Sequence, residues 1–220
     1  QKLQRGDDPV AAERRAERGD SIGPVVQAHA IYSLDIKTGT PLLVRNIFKK
    51  RPIASIAKLI TAMVILDRHR LDETVTVSRR AASQEPSKMW LAAGEKITVK
   101  NLLTGLLVGS ANDAAVALAE FSAGSESNFI KLMNAKARSI GLHNTHFSNS
   151  MGFDEPENYS TAYDTMAFAR AALNYNFIKR TVSLKNAKVE SISGDTKHTL
   201  ESTNELLENP YFNVKGLKTG

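Results

Sequence analysis

The stretch that most constrains this 220-residue chain is Ser55 to Leu66, which reads Ser-Ile-Ala-Lys-Leu-Ile-Thr-Ala-Met-Val-Ile-Leu. From Leu59 onward it is apolar nearly all round, and a helix with no polar face is normally buried. It is therefore predicted to be the central helix of a domain, ending near Asp67 to Arg70. Pro52 just before it suits a helix entry better than a helix interior. Ser55 and Lys58 stand at i, i+3, so hydroxyl and amine share one face, one turn apart. A serine hydroxyl attacks poorly until a base removes its proton. A lysine can be that base only where its surroundings hold it neutral, and a buried helix start is such a place. The pair alone proves little, because Ser-x-x-Lys arises by chance about once in a chain this long.

The rest of the chain is predicted to place strands at both ends and helices between. Gln1 to Pro24 is polar and charged and reads as a linker (1–24) or a short exposed helix, leaving 25–220 as the domain. Val25–Leu34 and Pro41–Val44, joined by turn residues Asp35–Gly39, form a candidate β-hairpin. Thr74–Val77 alternates as a short strand. Ile97–Leu107 and Asn112–Phe121 read as two helices, broken at Val108 to Ala111. Ser125–Ile140 is amphipathic, with Gly141 as its stop. Thr145–Asn158 is loop-like, and Tyr159 to Thr161 cap a helix over Ala162–Asn174. Lys185–Leu200 is strand-like, and Tyr211–Gly220 contains a short strand interrupted at Lys215-Gly216. The expected architecture is α+β: an antiparallel sheet of N- and C-terminal strands with a helical block packed against it.

Composition narrows the function classes. With 42% hydrophobic and 24% charged residues the chain can bury a sizeable core. It has no cysteine, which excludes disulfides, zinc–thiolate sites and thiol catalysis. The net charge of +6 is scattered in small clusters (Arg14-Arg15, Lys49-Lys50-Arg51, Arg79-Arg80), and aromatics are only 6%, so nucleic acid is not an expected partner. No run approaches the roughly 18 apolar residues of a membrane span. The opening Gln1-Lys2-Leu3 carries no initiator Met, which reads as a processed or trimmed product.

Two further motifs follow in order. Ser110-Ala111-Asn112 sits in a tight break between helices, where a turn can point both side chains outward. Lys218-Thr219-Gly220 closes the chain. Singly, the first reads as helix caps and the second as a basic edge strand. In this order, 52 positions after Lys58 and 106 after Asn112, they form a constellation. The trio is that of penicillin-binding proteins and class A β-lactamases. Pro52 to Ser55, Gly94 to Val99, Leu106 to Ala115, Asn144 to Phe147 and Gly216 to Gly220 resemble the low-molecular-mass D-alanyl-D-alanine carboxypeptidases and endopeptidases. The likeness runs from about Val26 to Gly220.

That resemblance implies a β-lactamase/transpeptidase-like fold, with the strands that normally follow Lys-Thr-Gly absent from this chain. It implies an acyl-enzyme on Ser55, with Lys58 as base and Lys218, a like charge, helping to keep Lys58 neutral. Ser110 would relay the proton to the leaving amine, and Asn112 would hold the substrate amide and brace Lys58. Lys218 and Thr219 would bind the substrate carboxylate, or that of a β-lactam, and Gly220 would let the substrate backbone lie close. Neither metal nor organic cofactor is implied. The partners implied are peptidoglycan peptides and covalently bound β-lactams, in a periplasmic or extracytoplasmic setting after signal-peptide removal. Peripheral membrane association through a tail after Gly220 is left open. The family's second oxyanion donor would be residue 221, so this 220-residue species is expected to be impaired.

Three other readings compete. A class A β-lactamase carries a Glu-x-x-Leu-Asn loop, which neither Asp154 to Asn158 nor Glu205 to Asn209 matches, and Ala111 stands where those enzymes usually carry Asp. A non-catalytic peptidoglycan-binding or β-lactam-sensing module is the alternative from another class. A metal site at His143 and His146 lacks a third ligand, so surface histidines are the better reading. Trp90 defaults to core packing, although its place between the first two motifs keeps a groove role open. Tyr163 and Asp164 read as helix-start residues.

Overall fold

The computed structural model describes residues 26–220, so the proposed 1–24 linker lies outside the described residues. Strands β1 (Ile31–Leu34) and β2 (Pro41–Arg45) form an antiparallel hairpin in which Tyr32 faces Val44. The Asp35 carboxylate accepts the N–H groups of Lys37 and Thr38 at 2.9 and 2.7 Å, which closes the turn locally. A short 3-10 turn (Ala54–Ala57) then leads into α1 (Lys58–Arg68). Every residue from Lys58 to Ile65 is buried, as an all-apolar helix requires. α3 (Val99–Val108), α4 (Asn112–Ala123), α5 (Glu126–Ser139) and α6 (Ala162–Ala172) all pack against α1. The chain is thus organised around α1, and one apolar cluster runs through these helices.

Side-chain caps set the helix starts: Ser125 accepts from Asn128 N–H at α5 and Thr161 from Asp164 N–H at α6. Two pieces differ from the sequence reading. The segment before α3 is a strand, β4 (Lys96–Thr98), paired antiparallel with β3 (Thr74–Thr76). The Lys185–Leu200 stretch is a hairpin, β5 (Asn186–Glu190) with β6 (Lys197–Glu201), turning at Gly194 with φ +78°. Two short helices, α2 (Arg79–Ala82) and α7 (Asn176–Thr181), complete the elements.

The fold is α+β, but the expected single sheet is a correction. The described residues hold three separate two-stranded sheets, and no strand forms over Tyr211–Gly220. Gly216 sits at φ +121° against the Val182 backbone, outside strand geometry, so the last residues run on without a ladder partner. Their end instead lies against the entry to α1, where a Cβ on Gly220 would stand 2.8 Å from the Ile53 carbonyl oxygen.

Candidate active site

The entry to α1 is over-determined. Ala54 adopts φ +46°, a conformation L side chains avoid, immediately before Ser55. Its carbonyl meets Gly152 (φ +90°), where an added Cβ would lie 1.9 Å from Ala54 O and 3.0 Å from Ser55 N. Only glycine fits there. The Asn149 side chain holds that loop by accepting from Gly152 N–H at 2.7 Å and Phe153 N–H at 2.9 Å. Glu126 accepts from the Ser150 N–H and hydroxyl, and Thr61 of α1 donates to the Ser150 carbonyl at 2.9 Å.

This clamp aims the Met151 carbonyl at Lys58, whose Nζ donates to it at 2.7 Å and lies 2.7 Å from Ser55 Oγ. Lys58 is 0% exposed. Burial away from water, reinforced by the charge of Lys218, lowers its pKa to about 7. Lys218 is itself pulled down to about 8 by burial, and its Nζ donates to the Thr219 carbonyl at 2.8 Å. No ion pair links either amine to a carboxylate among the described residues. A neutral amine at Lys58 can donate to Met151 and accept the Ser55 proton at the same time. The Thr219 hydroxyl lies 2.5 Å from that of Thr203, just after β6.

Ser110 and Asn112 bracket the start of α4, with Ser110 at φ +57°. Their side chains do not point outward as the turn suggested; the residues are 4% and 3% exposed. Asn112 does not brace Lys58 either, a role the Met151 carbonyl takes. Its N–H donates to Ser87 O at 2.7 Å and its Nδ2 to Glu85 O at 3.3 Å, while Oδ1 is buried without a partner. The structure therefore joins Ser55 and Lys58 directly, sets Lys218 near enough for its charge to act on Lys58, and brings Gly220 against Ile53 and Ala54. Ser110 and Asn112 join through the packing of α4 on α1.

Sequence reasoning missed several supports. Asp113, 0% exposed, accepts the N–H groups of Met89 at 3.1 Å and Leu91 at 3.0 Å, pinning the loop before β4 to the start of α4. His198 of β6 is buried between the Met89 carbonyl and the Glu95 carboxylate, each at 2.7 Å. Asp164 accepts from Asn144 N–H and the Thr145 hydroxyl, both at 2.8 Å, so it ties a loop as well as starting a helix. Trp90 is not core: it is 74% exposed. The one signal available was the run Asn-Ser-Met-Gly at 149–152, whose polar and glycine residues mark a shaped loop without naming its partner.

An α+β protein with a buried lysine bonded to a partly exposed serine at the head of its central helix is equipped for nucleophilic chemistry on Ser55. The chain belongs to the D-alanyl-D-alanine carboxypeptidase family, whose profile matches residues 18–220. The D-alanyl-D-alanine carboxypeptidase DacF of Bacillus subtilis is 36% identical over 199 residues, covering 88% of this chain and 51% of that protein. DacD of Escherichia coli is 36% identical over 208 residues, covering 90% and 52%. The chain spans about half the length of these curated relatives. A Streptomyces DD-transpeptidase crystal structure superposes with a TM-score of 0.83 at 31% identity, over 91% of this chain and 82% of that one. A D-alanyl-D-alanine carboxypeptidase of Mycobacterium tuberculosis gives 0.82 at 31% identity, over 90% and 74%. Among the described residues no helix is long and apolar enough to cross a membrane.

Proposed function

We propose that this chain carries the active site of a serine D-alanyl-D-alanine carboxypeptidase, or of an endopeptidase cutting the related cross-link. It would act outside the cytoplasm on peptidoglycan stem peptides during cell-wall remodelling. The observation that carries the reading is the 2.7 Å approach of Lys58 Nζ to Ser55 Oγ, with an amine pKa of about 7. At neutral pH about half of such amines are free to accept a proton.

Ser55 Oγ attacks the carbonyl carbon between two D-alanines as its proton passes to Lys58. The tetrahedral intermediate collapses, the C–N bond breaks, and Ser110 relays the proton to the departing amine. Asn112 holds the substrate amide. Lys218 and Thr219 hold the terminal carboxylate, the lysine as a nearby cation and the threonine through its hydroxyl. Gly220 leaves room for the substrate backbone. Water then cleaves the ester and returns Ser55.

A β-lactam follows the same first step, with its ring amide in place of the peptide. The class A β-lactamase reading gains no support, because no glutamate motif for activating a deacylating water was found in the sequence. The non-catalytic reading is opposed by the cost of holding a lysine neutral beside a serine, which a passive binding surface does not require. The test is fluorescent penicillin with the chain and with Ser55→Ala, each weighed by intact mass. The expected result is a stable one-to-one adduct that Ser55→Ala abolishes. This chain staying unmodified under saturating penicillin, and a longer chain that carries residue 221 doing the same, would favour the non-catalytic module.

A further inference from the structure

Trp90 is the chain's single tryptophan. It is 74% exposed and holds φ +66°, a strained conformation for a bulky residue that persists only where its surroundings impose it. Here they do. The N–H groups on either side, of Met89 and Leu91, both go to the buried Asp113 carboxylate, and the Met89 carbonyl takes a hydrogen bond from His198. Met89 also presses on α3, where a Cβ on Gly105 would lie 2.3 Å from its sulfur. Met89 and Leu91 are buried, so the residue between them is driven outward. The same loop is bonded to Asn112 through the Ser87 and Glu85 carbonyls, which ties the segment carrying the ring to the start of α4. Lys88 Nζ stands 4.2 Å from the indole centroid and pairs with Glu85.

Resting on the peptidoglycan reading, we propose that Trp90 is a positioning residue that stacks on a sugar ring of the glycan strand carrying the substrate peptide. With Lys88 over one face of this 74% exposed indole and Glu85 paired to that ammonium, the other face suits a pyranose. The sugar's C–H face packs on the ring, and its hydroxyl and N-acetyl groups bond to Lys88 and Glu85. An apolar peptide side chain would instead want an enclosing pocket, and the two apolar neighbours that could build one are turned inward.

Because the chain has one tryptophan, its emission reports on this ring alone. The intact protein is titrated with an N-acetylglucosamine tetramer and, separately, with a free D-alanyl-D-alanine pentapeptide. The tetramer is expected to shift Trp90 emission saturably, and the peptide to leave it unchanged. Retention on peptide-stripped glycan should weaken about tenfold in Trp90→Ala and recover in Trp90→Tyr. Three results would overturn the proposal: a response to the peptide alone, equal retention of Trp90→Ala, or an indole already shielded from iodide in the free protein. Penicillin labelling of Ser55 is read on the same samples, so failure of the enzyme reading shows separately.

Discussion

Lys58 and Lys218 are the same side chain in neighbouring places, and they differ in what holds them. Lys58 is built into the middle of the fold, fully buried on α1, with its amine shared between Ser55 Oγ and the Met151 carbonyl. Lys218 is only partly buried on a segment that forms no strand, and its amine turns back to the carbonyl of the next residue. Both lose affinity for protons through burial, to about 7 and about 8; Lys58 is the more deeply buried, and the like charge of Lys218 adds to its fall. One fold thus gives two neighbouring amines different settings, one fixed and one less constrained. The fixed one can take a proton from a named oxygen, and the less constrained one can turn toward an incoming anion.

Removing the fixed amine should have the largest effect. Lys58→Met is expected to slow penicillin acylation by about a hundred- to ten-thousand-fold, the usual worth of a positioned base. It should also stabilise the protein, since moving the amine's pKa from 10.5 to about 7 costs the fold on the order of 5 kcal/mol at neutral pH. The sign follows from the depressed folded value. The unfolded chain binds the proton more tightly, so stability from this group rises between about pH 7 and the unfolded pKa and is lost as pH falls through 7. Urea denaturation at pH 7 and pH 10 should show the wild-type gain shrinking in the variant. A less stable Lys58→Met would contradict this account of the buried amine.

The next effect tests what aims Lys58. Gly152→Ala puts a methyl 1.9 Å from the Ala54 carbonyl at φ +90°. It is expected to cost about 2 kcal/mol or more of stability and most of the acylation rate, because the shift falls on the Ala54–Ser55 backbone. Normal acylation in a folded Gly152→Ala would show that the clamp does not position the serine.

Lys218→Met should give the smallest of the three effects and the most telling. Its acylation should weaken about ten- to a hundredfold, the scale of a lost charged hydrogen bond. The rising limb of the pH–rate profile should move to higher pH, because Lys58 no longer has a cation beside it. A weaker rate with an unmoved profile would assign Lys218 to carboxylate binding alone and separate the two lysines electrostatically.

Much of this was legible in the chain itself. The apolar run after Ser55 determined that α1 would be central and buried, because a helix without a polar face has nowhere else to go. The i, i+3 spacing put Ser55 and Lys58 on one face, and the order of the three motifs identified the family. Their side-chain settings were not legible. Ser110 and Asn112 look like helix caps in sequence, and only the packing of α4 shows them buried. Met151 reaches Lys58 across 93 positions, through a backbone carbonyl that every residue type carries, so no residue identity could announce it. The Asp113 and His198 contacts that turn Trp90 outward are likewise made between distant segments and follow no period. The sequence by itself determined that Ser55 and Lys58 would stand one turn apart at the head of a buried helix, since local spacing and apolar patterning are properties of the chain. Only the tertiary structure decided that Lys58 could be neutral and Trp90 exposed, because desolvation and backbone strain depend on what the rest of the chain packs around them.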